Sequence, residues 1–214
     1  MKLFLLFIIF FILGFGGTLF LVNTQTSQEV TKPKAKTPIE STKFSIENPP
    51  STSLHGDITL LSGEVKWQSR IASEASTITL KQQIKQGESL FTDTTGKVSI
   101  AFPDMLFELS PDTTLNIIQT LPSSTVLEQP KGKIGYQTSS STPLAIRTYP
   151  ILTESLGGNF SISIDEDDGT IVISVESGSV AIAYNDSDTI STVHNVKKGE
   201  TLIFDPSTRT SAIE

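Results

Sequence analysis

Residues Ile151–Tyr184, ILTESLGGNFSISIDEDDGTIVISVESGSVAIAY, decide the fold class. In Asn159–Ile164 polar and apolar residues alternate, which puts Phe160, Ile162 and Ile164 on one face of a strand. Asp168-Gly169 is a strong hairpin signal, because glycine accepts the positive φ of a tight turn. Thr170–Val175 returns as a β-branched run, Ser177-Gly178 turns the chain again, and Val180–Tyr184 leaves as a third strand. The expectation is a three-stranded meander, with a bend at Gly157-Gly158 where it opens.

Working outward, the same texture fills the chain from Leu54 onward. Short β-branched runs separated by Gly, Pro, Asp and Ser predict strands at Asp57–Leu61, Glu64–Gln68, Leu90–Thr92, Lys97–Phe102, Leu106–Leu109 and Thr114–Ile118. Further strands are expected at Val126–Glu128, Lys133–Gln137, Leu144–Arg147, Ser191–Val196, Thr201–Phe204 and Arg209–Ile213. Ser73–Leu80 is the one helical candidate, yet Thr77–Leu80 alternates like a strand. The fold class is all-β: many short antiparallel strands in a sandwich, a roll or a solenoid-like stack. Weak repetition supports stacking. Ser62-Gly63-Glu64-Val65, Lys131-Gly132-Lys133-Ile134 and Ser177-Gly178-Ser179-Val180 share a turn glycine before a strand. Gly87-Glu88-Ser89-Leu90 and Gly199-Glu200-Thr201-Leu202 form a second type.

Ahead of this domain the chain changes character twice. Leu3–Val22 is uncharged, apolar all round and long enough to cross a bilayer as a helix. It outruns a secretory h-region and no Ala-x-Ala site follows, so an uncleaved signal-anchor is expected, with a cleaved signal peptide as the competing reading. Residues 23–53, rich in Pro, Thr and Lys, read as a flexible stalk. The expected organisation is an anchor at 1–22, a stalk at 23–53, the β-domain at 54–206 and a tail or edge strand at 207–214. Lys2 favours a start inside, whereas Lys32, Lys34 and Lys36 pull the other way. The domain is expected outside, because only two residues precede the helix and the far flank is polar.

The net charge of −7 argues against a nucleic-acid partner, since phosphate binding needs a basic surface. With no cysteine in 214 residues, disulfides, thiolate metal sites and cysteine nucleophiles are excluded.

A family likeness runs through the same residues. The order Gly87-Glu88-Ser89-Leu90-Phe91-Thr92-Asp93, then Val98–Asp104, then Leu109-Ser110-Pro111-Asp112-Thr113 resembles the FecR-type domain. That family has a Gly-Asp/Glu turn, a threonine-bearing strand, and a corner of leucine, any residue, proline, any residue and serine or threonine. Pro130–Ile134, Ile146–Pro150, Leu156–Phe160, Val175–Val180 and Val196–Glu200 resemble its later elements, so the likeness covers Gly56 to Phe204. Leu156 stands where the family has arginine, Gly158 where it has threonine, and Tyr149 intervenes between Thr148 and Pro150. The resemblance implies a periplasmic or cell-surface domain. With Met1-Lys2 alone before the helix and ten residues after Phe204, the anti-sigma segment and C-terminal module of the family's iron-transport regulators are expected to be missing.

Nothing in the sequence assembles catalytic chemistry. His55 and His194 are the only histidines; each stands alone, His55 as a solvated linker residue and His194 as an exposed strand position. No Gly-x-Ser-x-Gly, His-Glu-x-x-His or P-loop occurs. Asp165-Glu166-Asp167-Asp168-Gly169 gathers carboxylates that could attract calcium, but it lacks the alternating ligand pattern, and a solvated hairpin tip accounts for it. Asn185–Asp188 reads the same way. Trp67, Tyr136 and Tyr184 are expected in the core.

No catalytic, cofactor-binding or metal residue is therefore nominated. The expected function is a membrane-anchored, extracytoplasmic binding or scaffold domain without catalysis, held by Leu3–Val22 and taking a protein or cell-envelope partner. A sensor component of a split transmembrane signalling system, regulating transcription through a separate partner, is the alternative. An enzyme acting on wall polymers is a third.

Overall fold

The computed structural model describes residues 52–78, 82–139 and 143–214. Residues 1–51, which hold the expected membrane helix and nearly all of the stalk, lie outside them. Among the described residues no helix is long and apolar enough to cross a membrane.

Period-2 alternation becomes strand throughout. In chain order the strands are β1 (Gly56–Ser62), β2 (Val65–Gln68), β3 (Ser76–Thr77), β4 (Gln83–Ile84) and β5 (Ser89–Thr92). β6 (Lys97–Phe102), β7 (Met105–Leu109), β8 (Thr114–Leu121), β9 (Ser124–Thr138) and β10 (Leu144–Thr148) follow. The last five are β11 (Ile151–Ile164), β12 (Ile171–Asn185), β13 (Ser191–Lys197), β14 (Thr201–Asp205) and β15 (Thr210–Ile213). The all-β expectation is met. The expectation of uniformly short, antiparallel strands is not: β9 and β12 have 15 residues each, β11 has 14, and β9 pairs with β10 in parallel.

The long strands explain the architecture, because each serves two layers. One layer runs β3-β2-β5-β8-β9-β10-β11-β12-β13, and the other β4-β1-β6-β7-β9-β11-β12-β14-β15. The first half of β9 pairs with β8 and β10, and its second half pairs with β7 and β11. In β12 the first half pairs with β14 and the second with β13. Each long strand changes layer at a glycine: Gly132 in β9, Gly157-Gly158 in β11 and Gly178 in β12. Gly63, Gly87 and Gly199 sit at crossings between consecutive strands. The two repeat types read from the sequence thus mark where the chain passes from one sheet to the other.

The expected meander is corrected accordingly. Ser177-Gly178 does not turn the chain; it bends one continuous strand, since Val180 continues the pairing of β12 with β11. A two-residue turn at Asp168-Gly169 is replaced by a loop, Asp165–Thr170, closed by bonds from the Asp165 N–H to the Thr170 carbonyl and from the Gly169 N–H to the Asp165 carbonyl. Within Ser73–Leu80, Ser76–Thr77 is strand, in line with the alternation there, and residues 79 and 80 lie outside the described ones.

Core side chains alternate inward from both layers and form one cluster. Phe102, Phe107, Tyr136 and Phe160 make a ladder of rings across the second layer, with centroids 5.4, 5.7 and 5.2 Å apart. Each such pair adds about 0.5–1.5 kcal/mol beyond the area it buries. Tyr184 of the first layer meets Phe204 of the second edge-on at 4.8 Å, so the sheets face one another across this core.

Polar groups inside the sandwich fasten its corners. The two Lys-x-Gly-Glu turns use one device: the Glu88 carboxylate accepts the Lys85 N–H at 2.8 Å, and the Glu200 carboxylate accepts the Lys197 N–H at 2.9 Å. Glu88 also accepts the Trp67 indole N–H at 2.9 Å, and this half-buried ring packs against the core. At the Leu109–Thr113 corner, the Thr92 hydroxyl donates to the Ser110 carbonyl at 2.7 Å and accepts the Thr113 N–H at 2.9 Å. Thr92→Val is expected to leave that buried N–H without a partner and to lower stability by about 2 kcal/mol, read as a shift in the urea midpoint at unchanged slope.

Candidate functional site

Strand alternation that fills the core also fixes what the first layer shows to solvent. One cross-strand row on its outer face runs Asn116, Glu128, Arg147, Leu152, Ala183 and Val193 over six neighbouring strands. The next row runs Gln119, Val126, Ala145, Glu154, Ala181 and Asn195. The surface is low at the alanines, carries the exposed Glu154 between two of them, and is higher at Leu152 and Val193. Leu152 is 45% exposed and Val193 is 62% exposed. Full burial of such a side chain is worth about 1.5–3 kcal/mol, of which these two forgo roughly half.

Beside the middle of the row, next to Arg147 and Leu152, lies a corner. β10 and β11 are joined by Tyr149-Pro150 through a cis peptide bond, and the Tyr149 ring is 90% exposed. Beneath it lies a cleft of about 520 Å³ whose walls include Glu128, Arg147, Tyr149, Leu152, Asn185 and Ser191. Glu128 accepts the Asn116 amide N–H at 3.0 Å. The Arg147 guanidinium has neither an ion pair nor a hydrogen bond among the described residues, where the ion pairs are Glu64–Lys66 and Lys131–Glu166. Guanidinium, phenol ring and leucine thus share one rim. That set is suited to a protein surface: the ring and leucine bury area, and the planar fork of arginine takes a carboxylate or backbone carbonyls.

The residues singled out in the sequence lie elsewhere. His55 is exposed in the coil before β1. His194 is half-buried, not exposed, because Val193 takes the outward position and the imidazole turns toward the other layer. There its Nε2 lies 3.3 Å from both the Tyr184 and Ser211 hydroxyls, which are 2.8 Å from one another. Among the described residues no carboxylate orients this imidazole, so the serine beside it lacks the third group of a nucleophilic triad there. Tyr136 and Tyr184 are core residues, as expected. Burial pushes the Tyr136 phenol well above its usual value.

The acidic loop serves its own backbone. The Asp165 carboxylate accepts the Asp167 N–H at 2.9 Å, and the Asp168 carboxylate accepts the Thr170 N–H at 2.8 Å. The Thr170 backbone bond, then its hydroxyl, holds the exposed Asp168 carboxyl below its ordinary value against the opposing charge of Asp205. No group of three or more metal-ligating side chains occurs among the described residues.

Sequence reasoning missed Arg147, Tyr149 and Leu152 as a set. The one available signal was Tyr149 between Thr148 and Pro150: an aromatic residue in a two-residue hairpin turn has no core to enter.

No protein-family model matches the sequence, and no curated protein matches it. Two crystal structures of a "putative anti-sigma factor" from Parabacteroides distasonis ATCC 8503 are similar in fold. Each superposes with a TM-score of 0.52, at 16% and 17% sequence identity, covering 59% of this chain and 58% of that one. The match therefore spans less than two thirds of that protein's length, and at such identity the likeness is one of fold.

Proposed function

We propose that this chain is a non-enzymatic signalling protein whose β-domain docks a protein partner through the Arg147–Tyr149–Leu152 rim. In this reading Leu3–Val22 anchors the chain in a membrane and the domain stands on the extracytoplasmic side. The observation that carries it is the Arg147 guanidinium, without a partner among the described residues, beside a 90% exposed tyrosine and the exposed Leu152. Tyrosine and arginine are the residues most enriched among interface hot spots, and an exposed apolar rim around them marks a binding surface. The fold shared with an anti-sigma-factor-like protein supports a signalling role, and so does the ordered FecR-type likeness of Gly56 to Phe204. A cell-envelope scaffold is the second reading, favoured by the same ring, which would stack on a sugar face as well as on a side chain.

Photo-crosslinking separates these readings. With a benzophenone amino acid in place of Tyr149, intact cells are expected to give one dominant protein adduct, absent when the probe replaces Lys97 on the other layer. Arg147→Glu should weaken that adduct about 30-fold, which corresponds to about 2 kcal/mol. Adducts with wall polymer alone would favour the scaffold, and equal labelling at both positions would sink the docking surface. An adduct that resists protease added outside spheroplasts would overturn the extracytoplasmic placement.

A further inference from the structure

β13 leaves one side unpaired. Its hairpin with β12 is closed by the Asp186 N–H to the Ile190 carbonyl, and the Lys198 N–H bonds the Gly178 carbonyl at its far end. That phase sends the N–H and C=O of residues 190, 192, 194, 196 and 198 toward β12. The backbone groups of Ser191, Val193, Asn195 and Lys197 consequently face outward, and no described strand pairs with them. The other terminal strands, β3, β4 and β15, have two, two and four residues, whereas β13 has seven. Short edges are a common protection against unwanted pairing. β13 has no proline, no inward charge and seven consecutive pairs with β12 without a register shift, and its one lysine, Lys197, stands at its very end.

We propose that β13 pairs with β13 of a second copy of this chain, forming a two-fold symmetric dimer with one layer continuous across it. Antiparallel self-pairing is what a two-fold axis generates. With the axis at His194, Ser191 meets Lys197 of the partner subunit and Val193 meets the partner's Asn195. All four outward-facing residues of each strand then find partners. The charge pattern favours a second copy over an unrelated strand. β13 runs from an acidic turn, with Asp186 and Asp188, to Lys197-Lys198, and no ion pair uses these lysines among the described residues. Reversing the strand brings Lys198 of each copy to within two residues of the partner's Asp188, twice over, with Glu200 beyond it. On the outer face, Val193 is 62% exposed and stands in one row with Ala183 and Leu152. Pairing brings the two Val193 side chains into diagonal contact across the axis.

The test uses the full chain in mild detergent. It contains no cysteine, so a single introduced thiol reports one contact. His194→Cys sits on the axis at a non-hydrogen-bonded pair, where Cα atoms lie about 4.5 Å apart, within disulfide range. Oxidation is expected to convert most of it to a covalent dimer, with at least tenfold less dimer from Lys97→Cys. Sedimentation should give a dimer for the wild type. Val193→Pro removes only an outward-facing N–H and is expected to raise the dissociation constant at least tenfold. Lys198→Glu should do the same, with recovery in the Lys198→Glu/Asp188→Lys double variant. A monomeric wild type would overturn the proposal. So would a dimer indifferent to both Val193→Pro and Lys198→Glu, or equal crosslinking at positions 194 and 97.

Discussion

Gly158→Ala should cost the domain about 4 kcal/mol, close to the whole stability of a marginal protein. Two causes add. Gly158 has φ +127°, a conformation that side chains rarely adopt, at about 1–3 kcal/mol. A Cβ there would also overlap the Ser177 carbonyl on the neighbouring strand, with Gly178 Cα 3.0 Å away. Both obstacles are backbone, so no rotamer change relieves them, and moving β12 disturbs its pairing with β11 on both sides of the bend. Gly199→Ala is the control. Its φ is +85°, but a Cβ meets nothing within 4 Å, so conformation alone contributes and the loss should be about 1–2 kcal/mol. Equal losses for the two substitutions, measured by urea unfolding, would show that close packing at the bend is not the cause.

Gln129→Leu is expected to cost about 2–3 kcal/mol, although it exchanges a polar core residue for an apolar one. Gln129 is fully buried where β9 changes layer. Its amide donates to the Gly132 carbonyl at 2.9 Å and the Ile162 carbonyl at 3.1 Å, and its Oε1 accepts the Tyr136 hydroxyl at 2.9 Å. Leucine would strand the buried Tyr136 hydroxyl, at about 1–3 kcal/mol, and take one of two bonds from each carbonyl, since both keep partners in the β9–β11 ladder. Tyr136→Phe alone strands one, so a loss of about 1–2 kcal/mol is expected. The double variant should lose less than the sum of the singles, because the hydroxyl that leucine strands is gone. Strict additivity in that cycle would show that the two side chains do not act together.

The sequence conveyed strand identity well because period-2 alternation is a local property. Lys97–Phe102 was read to the residue, and most other strands to within two or three. Continuity was not legible. Ser177-Gly178 and Lys131-Gly132 look like turns, and whether a glycine ends a strand or bends it depends on partners far away in sequence, here β11 and β13 for Gly178. The phase of β13 was misread for a related reason. Val193 is the more apolar residue, but the buried side of β13 is set by Tyr184 and Ser211, which offer His194 polar contacts. The docking rim was invisible since Glu128, Arg147, Leu152 and Val193 come from four strands. Only register brings them into one row.

The layer-changing strands also have a mechanical consequence. In a sandwich of two separate sheets joined by loops, one sheet can slide or peel while the other persists. Here β9, β11 and β12 each spend half their length in either sheet, so the sheets are woven together by main chain rather than merely stacked. Neither can be displaced without straining three strands at once. A pull or a bound partner at the Tyr149 corner is therefore carried to the opposite face by the whole domain moving as one stiff body, with no hinge between the layers to absorb it.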